Sequence, residues 1–280
     1  MIRIIADSAC DLCLEAAKDL NVEIIPLNVK IGETTYRDRY DLEPEQFYEM
    51  LSNAKELPKT SMINPFEWET IFKKVNDAGD EAVVITMSSA LSGTYQAANI
   101  AADDYDCIHV VDSRSITVTE QALVRYACML RDNGRNASNI ADMLRSEADE
   151  LKIVAIVDTM DYLKAGGRVS GAVAAVGSLL NIKPLIGQAD GKLSLLGKAR
   201  GYKNAMVQMK KLSNNFGIDY TKPVVFAYSG DIASTLDDYI EGCKEEFSGY
   251  EKNIHKTIAG ATIGTHTGPG CITIGFFPVH

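Results

Sequence analysis

The chain has 280 residues, a formal net charge of −10, 46% hydrophobic and 24% charged side chains, so it is long enough to bury a substantial core and falls between one large domain and two ordinary ones. That charge balance argues against nucleic acid as a partner and against adhesion of the whole surface to an anionic membrane. No low-complexity run or solenoid-like repeat is visible. MIRIIADSACDL lacks the regions of a signal peptide, and the longest nearly apolar stretch, Gly171 to Leu180, is too short to span a bilayer, so a cytoplasmic protein is expected.

In chain order, short apolar runs alternate with amphipathic ones: Ile2 to Ala6 then Asp11 to Leu20, Val83 to Thr86 then Ser92 to Ala102, Ile108 to Val111 then Thr117 to Asn133. Strand followed by helix, repeated, predicts a doubly wound parallel sheet with helices on both faces. Ligands of such sheets bind where strand C-termini meet helix N-termini, so Asp7-Ser8, Ser88 to Gly93 and Asp112-Ser113 are expected along one edge. Asp7, Ser8 and Asp11 read first as caps of the opening helix. An aspartyl nucleophile of the phosphatase type is disfavoured because position 9, where a second aspartate belongs, is Ala. Cys10 and Cys13 have the spacing of a redox pair, with burial in the core as the competing reading.

A polar helix around Asn139 to Glu150 closes the first half, and an apolar strand opens at Lys152. This places a lobe boundary there, with an α/β lobe over 1–152 and an α+β lobe over 153–280. The second lobe is expected to hold a hairpin turning at Asp190-Gly191, a helix over Tyr202 to Asn215, a strand at Pro223 to Tyr228 and a helix from Ile232 to Phe247. It is expected to end in strands at Asn253 to Ile258 and Cys271 to Phe277. From Lys164 to Lys203 the chain carries seven basic residues and one acidic one, a local charge of +6 on an acidic body. Such a stretch is a candidate docking face or simply a solvated surface.

Three hydroxyl-rich segments remain: Thr60-Ser61 in KTSMINP, Ser88 to Gln96, and Thr265 to Gly270 in THTGPG. They supply neutral hydrogen-bond donors and one histidine, with no array of metal ligands and no basic phosphate cradle, so no cofactor is expected. Donors of this kind suit a single anionic head group such as a carboxylate.

Together, IIADSACDL (4–12), KTSMINP (59–65), SSALSGTYQAA (88–98), VVDSRS (110–115), DTMDYLKAGGRVS (158–170) and GTHTGPG (264–270) resemble the DegV family of fatty-acid-binding proteins, in order and over nearly the full length. The resemblance implies a two-lobed, non-enzymatic protein that holds one long-chain fatty acid. It also implies that the acid is presented to a separate fatty acid kinase, which makes an acyl phosphate for phospholipid synthesis. The family's carboxylate-binding pair maps to Thr60 and Ser61, its helix-opening serine to Ser92, and its C-terminal pair to Thr265 and His266, while Gly93 lets the backbone approach the head group. Where family members often have TSQPS this chain has TSMIN, so Met62 replaces an amide and Asn64 a hydroxyl. Arg168 and Arg200 are candidates for contact with a partner or with the head group, and the basic stretch for contact with the kinase or transiently with a membrane.

Physical chemistry agrees in part. Burial of roughly fifteen methylenes offers on the order of 10 kcal/mol before ordering costs, so the tail supplies affinity and the head group needs only to avoid being left unpaired. The apolar run Val169 to Leu180, continued by Ile182 to Ile186, is a candidate tail lining. The alternative of a different class is a serine hydrolase with Ser88, Ser89 or Ser92 as nucleophile and His266 as base, although no GxSxG elbow occurs.

Overall fold

The computed structural model describes residues 1–169 and 181–279. In chain order the strands are β1 (Ile2–Asp7), β2 (Val22–Ile25), β3 (Asn28–Ile31), β4 (Thr34–Arg37), β5 (Lys59–Ser61), β6 (Glu81–Thr86), β7 (Ile108–Asp112), β8 (Lys152–Ile156), β9 (Ile182–Ala189), β10 (Lys192–Arg200), β11 (Val224–Tyr228), β12 (Ile254–Ile258) and β13 (Ile272–Phe276). They form a parallel sheet β2-β1-β6-β7, a small antiparallel sheet β4-β3-β5, and a six-stranded mixed sheet β10-β9-β8-β13-β11-β12.

The first sheet follows from sequence because both of its faces are covered. Ile5, Val84 and Val110 face Trp68 and Phe72 of helix Pro65–Asp77 and Ala98 of helix Thr94–Ala102. Their neighbours Ile4, Val83 and Val111 face helices Thr117–Asp132 and Ala137–Ala148. The period of two along each strand divides the two cores.

In the six-stranded sheet, Asp190 and Gly191 take φ of 50° and 71°, the two-residue turn that matches strand twist, and close the β9–β10 hairpin as expected. One face of this sheet is covered by helices Gly201–Phe216 and Ala233–Glu241 through Met209, Leu236 and Phe226. The other face turns inward: Ala155, Val157, Ile186 and Cys271 join the same apolar cluster as Ile5 and Trp68 of the first lobe.

The small sheet, over Val29, and helix Pro44–Asn53 pack on Ala261 through Phe47 and Tyr48. This layer has no counterpart among the sequence expectations. The GTHTG segment, to which no element was assigned from sequence, falls at the end of a helix, Ala261–Thr267. The expected helix over Ile232 to Phe247 is divided into Ala233–Glu241 and a 3-10 turn Lys244–Phe247. Residues 170–180, which contain most of the proposed tail lining, lie outside the described residues. Among the described residues no helix is long and apolar enough to cross a membrane.

Candidate ligand-binding cavity

The inward faces of the two sheets do not close completely on each other. They leave a cavity with about 210 Å³ open to the centre of a water-sized sphere. Its walls are mostly apolar, with Met87, Leu91 and Ile116 from the first lobe facing Ile153, Ile186 and Leu193 from the second. Polar side chains gather at one end, on four separate elements: Thr60 and Ser61 on β5, Ser92 before helix Thr94–Ala102, His266 on helix Ala261–Thr267, and Arg168 after helix Asp161–Gly166.

Two of these hydroxyls are each held by a neighbour. Thr60 Oγ1 lies 3.0 Å from His266 Nε2. Ser92 Oγ lies 2.9 Å from Thr94 Oγ1 and accepts the Thr94 N–H at 3.3 Å. Burial, helped by the nearby Arg168 cation, pushes the imidazole of His266 down to about 4, so it is neutral at physiological pH. Its Nδ1 has no hydrogen-bond partner among the described residues and rests against Gly166, where an added Cβ would lie 2.1 Å from that nitrogen. Gly93 likewise receives Met62, whose sulfur would lie 2.6 Å from an added Cβ. Asn64 caps helix Pro65–Asp77, accepting from Glu67 N at 3.0 Å while its own N–H donates to Glu67 at 2.9 Å. The change from hydroxyl to amide at this position is therefore accommodated by a residue that caps equally well.

What fixes the His266 helix is a group of buried carboxylates. Gly260 N donates to Asp11 at 2.7 Å, and Ala261 N and Thr262 N donate to Asp38 at 2.9 and 3.1 Å. These bonds satisfy the orphan amides of a seven-residue helix that has no local cap. Arg39, 3% exposed, pairs with Asp11 at 2.9 Å and donates to Ile258 O at 2.8 Å. Thr117, which lines the cavity, donates to Asp11 at 2.6 Å and is held at φ 49°, a backbone state rare for a β-branched residue. Asp7 accepts from Ala9 N and Met87 N at 3.0 and 2.8 Å, and burial raises it to about 7. Burial, followed by the nearby Asp7 charge, also drives the adjoining Glu120 well above the usual carboxyl range.

These placements revise the expectations residue by residue. Thr60, Ser61, Ser92, Gly93, His266 and Arg168 all line the cavity. Thr265 does not: its hydroxyl donates to Ala261 O at 2.8 Å within its own helix. Arg200 is exposed at the start of helix Gly201–Phe216, also away from the cavity. Asp7 caps only a 3-10 turn, and Asp11 caps a helix in the second lobe rather than the opening one. Ser88 Oγ donates 2.8 Å to Gly191 O and so ties the first lobe to the hairpin of the second. Ser92 is bonded to Thr94 and His266 to Thr60, an arrangement that lacks the serine–histidine bond of a hydrolase. Cys10 is buried and Cys13 exposed, both as free thiols, and burial raises Cys10 well above the usual thiol range. Sequence reasoning missed Thr262 and Thr273, which line the cavity with buried hydroxyls. Thr262 stands one helical turn before His266, a spacing that was available as a signal.

The fold is therefore a mixed α/β one, with a parallel sheet, a separate six-stranded sheet and a mostly apolar cavity between them that carries neutral hydroxyl donors. The sequence profile of the DegV family, described as uncharacterised proteins, matches residues 1–279, and the chain belongs to that family. A DegV domain-containing protein of Halalkalibacterium halodurans is 33% identical over 284 residues, covering 99% of this chain and 98% of the relative. Among solved structures, a fatty-acid-binding DegV family protein of Thermus thermophilus superposes with a TM-score of 0.86 at 26% identity, covering 99% of each chain. A stearic-acid-binding protein of Eubacterium ventriosum superposes with 0.84 at 27% identity, covering 99% of this chain and 98% of the other.

Proposed function

We propose that this chain binds one long-chain fatty acid, with the tail between the two sheets and the carboxylate at Thr60, Ser61 and Ser92, and performs no turnover of its own. In this reading it is cytoplasmic and presents the carboxylate to a separate fatty acid kinase for acyl phosphate formation. The exposed basic side chains at Arg168 and Arg200 serve contact with that partner or with a membrane surface during exchange.

The observation that carries the proposal is the pairing of a mostly apolar cavity between the sheets with hydroxyls that are each already bonded to a neighbouring side chain. A neutral His266 protonated on Nε2 donates to Thr60 Oγ1, leaving the Thr60 proton for the ligand. Ser92 Oγ accepts the Thr94 N–H, and with Thr94 Oγ1 as donor in the hydroxyl pair the Ser92 proton is free for the ligand in the same way. The N-terminus of helix Thr94–Ala102 adds a favourable dipole for an anion. Thr265, in this reading, stiffens the helix that carries His266 instead of touching the ligand.

Native mass spectrometry of the purified protein, with identification of the extracted lipid, tests the proposal. One equivalent of fatty acid is expected. A protein that carries no lipid and takes up neither palmitate nor oleate in a direct binding assay refutes it.

A further inference from the structure

The cavity wall carries two polar atoms that the carboxylate site does not use. Thr262 and Thr273 both line the cavity and are 3% and 5% exposed, and the buried Oγ1 of each has no hydrogen-bond partner among the described residues. Each stands where the usual local remedy of a threonine fails. Thr265 and Thr267, on the same helix as Thr262, donate back to Ala261 O and Ile263 O at 2.8 and 3.1 Å. Four residues before Thr262 is Ile258, whose carbonyl ends β12 and accepts from Arg39 at 2.8 Å. Thr273 sits in mid-β13 between Ala155 of β8 and Ala227 of β11, both lining residues whose methyl groups offer no acceptor.

A buried hydroxyl without a bond is destabilising, and a ligand oxygen against it removes that penalty. A plain acyl chain cannot do so. Thr262 precedes His266 by one helical turn on the same face, so its hydroxyl lies about 5 Å further along the helix from the head-group end. Thr273 belongs to the sheet wall.

We propose that the cavity recognises an acyl chain bearing an oxygen within the tail, a hydroxy or keto fatty acid, through Thr262, Thr273 or both. This rests on the fatty-acid reading and narrows the class of acid. Dissociation constants would be measured for stearate and for a set of monohydroxystearates with the hydroxyl at successive carbons, on wild type, Thr262→Val and Thr273→Val, with thermal midpoints confirming that each variant folds. In the wild type at least one isomer is expected to bind as tightly as stearate or more tightly. In a valine variant that isomer should lose roughly ten- to a hundredfold relative to stearate, because its hydroxyl is then buried unpaired. Stearate itself should be unaffected or bound more tightly. If stearate binds but every isomer is far weaker in the wild type, or if neither substitution changes the ratio for any isomer, the proposal is overturned and the carrier reading stands. If neither stearate nor any isomer binds, the carrier reading falls and this proposal with it.

Discussion

Gly166→Ala changes no polar group, yet it should disable the head-group site. Gly166 closes helix Asp161–Gly166 with a negative φ, so alanine suits the backbone and improves helix propensity by up to about 1 kcal/mol. Its Cβ, however, would lie 2.1 Å from Nδ1 and 3.0 Å from Cε1 of His266, so the nearer contact falls more than about 1 Å short of ordinary van der Waals separation. The ring has little room to yield without disturbing its 3.0 Å bond to Thr60, which lies on the Nε2 side. Once the ring turns, Thr60 loses the donor that directs its own proton to the ligand. Loss of a hydrogen bond to a charged group is worth about 1.5–3 kcal/mol, or roughly a ten- to 150-fold rise in Kd. Titration calorimetry with palmitate should show that rise while thermal unfolding shows a midpoint within a few degrees of wild type. An unchanged Kd in a folded Gly166→Ala protein would refute the claim that the position of His266 organises the site.

Ser92→Ala should weaken fatty acid binding by about 1–3 kcal/mol with the fold intact by circular dichroism, and wild-type affinity would exclude Ser92 from the site. His266, lowered from 6.5 to about 4, makes a contribution to stability that is complete above pH 6.5 and is lost as the pH falls to about 4, roughly 3 kcal/mol in all. Asp7, raised from 3.8 to about 7, acts with the opposite sign, so its contribution is lost as the pH rises through that window; urea unfolding of wild type against His266→Asn isolates the histidine, and a pH-independent difference between the two would contradict the assignment. Arg39→Met leaves Asp11 buried without its cation and should cost about 3–5 kcal/mol in urea unfolding, with part recovered in Arg39→Met/Asp11→Asn; an equal loss in the double variant would mean that the pair itself is not what matters. Charge reversal at Lys198 and Lys203 should slow transfer of the acid from anionic vesicles, or its phosphorylation by the proposed fatty acid kinase partner, in a salt-dependent way at unchanged affinity, and no change in either would leave the basic stretch a solvated surface.

The parallel sheet was legible because each of its main strands is a mostly apolar run with a polar end, as in Ile2–Asp7 and Ile108–Asp112, broken only by Arg3 and His109. The hairpin was legible because Asp190-Gly191 is the sort of pair that tolerates two positive φ angles. Thr60, Ser92 and His266 could be named from their motifs, but which of them touch could not. The bond between Thr60 and His266 joins residues 206 apart in the chain and depends on the small sheet β4-β3-β5. That sheet escaped notice because its strands are three or four residues long, and β4 and β5 have no fully buried side chain from which a period could be read.

The helix Ala261–Thr267 shows a different limit. ATIGTHT joins glycine to threonines and an isoleucine, all weaker helix formers than alanine, and is preceded by Gly260, so local rules give it neither propensity nor a strong cap. Its first amides are satisfied instead by Asp11 and Asp38, 249 and 223 residues upstream from their partners Gly260 and Ala261. Asp11 reads as a local cap in the sequence because a carboxylate after a strand usually serves the next helix. Here Asp11 crosses to the other lobe, and Arg39 beside it balances part of the charge. The same bonds that build the helix therefore hold the lobes together on either side of the cavity. Separating the lobes to widen the cavity at this point would expose two carboxylates and an arginine while leaving His266 on an uncapped helix. If the proposed fatty acid occupies the cavity, it follows that this side is the fixed wall, and that any adjustment to a longer or bulkier tail must come from walls that lack such ties.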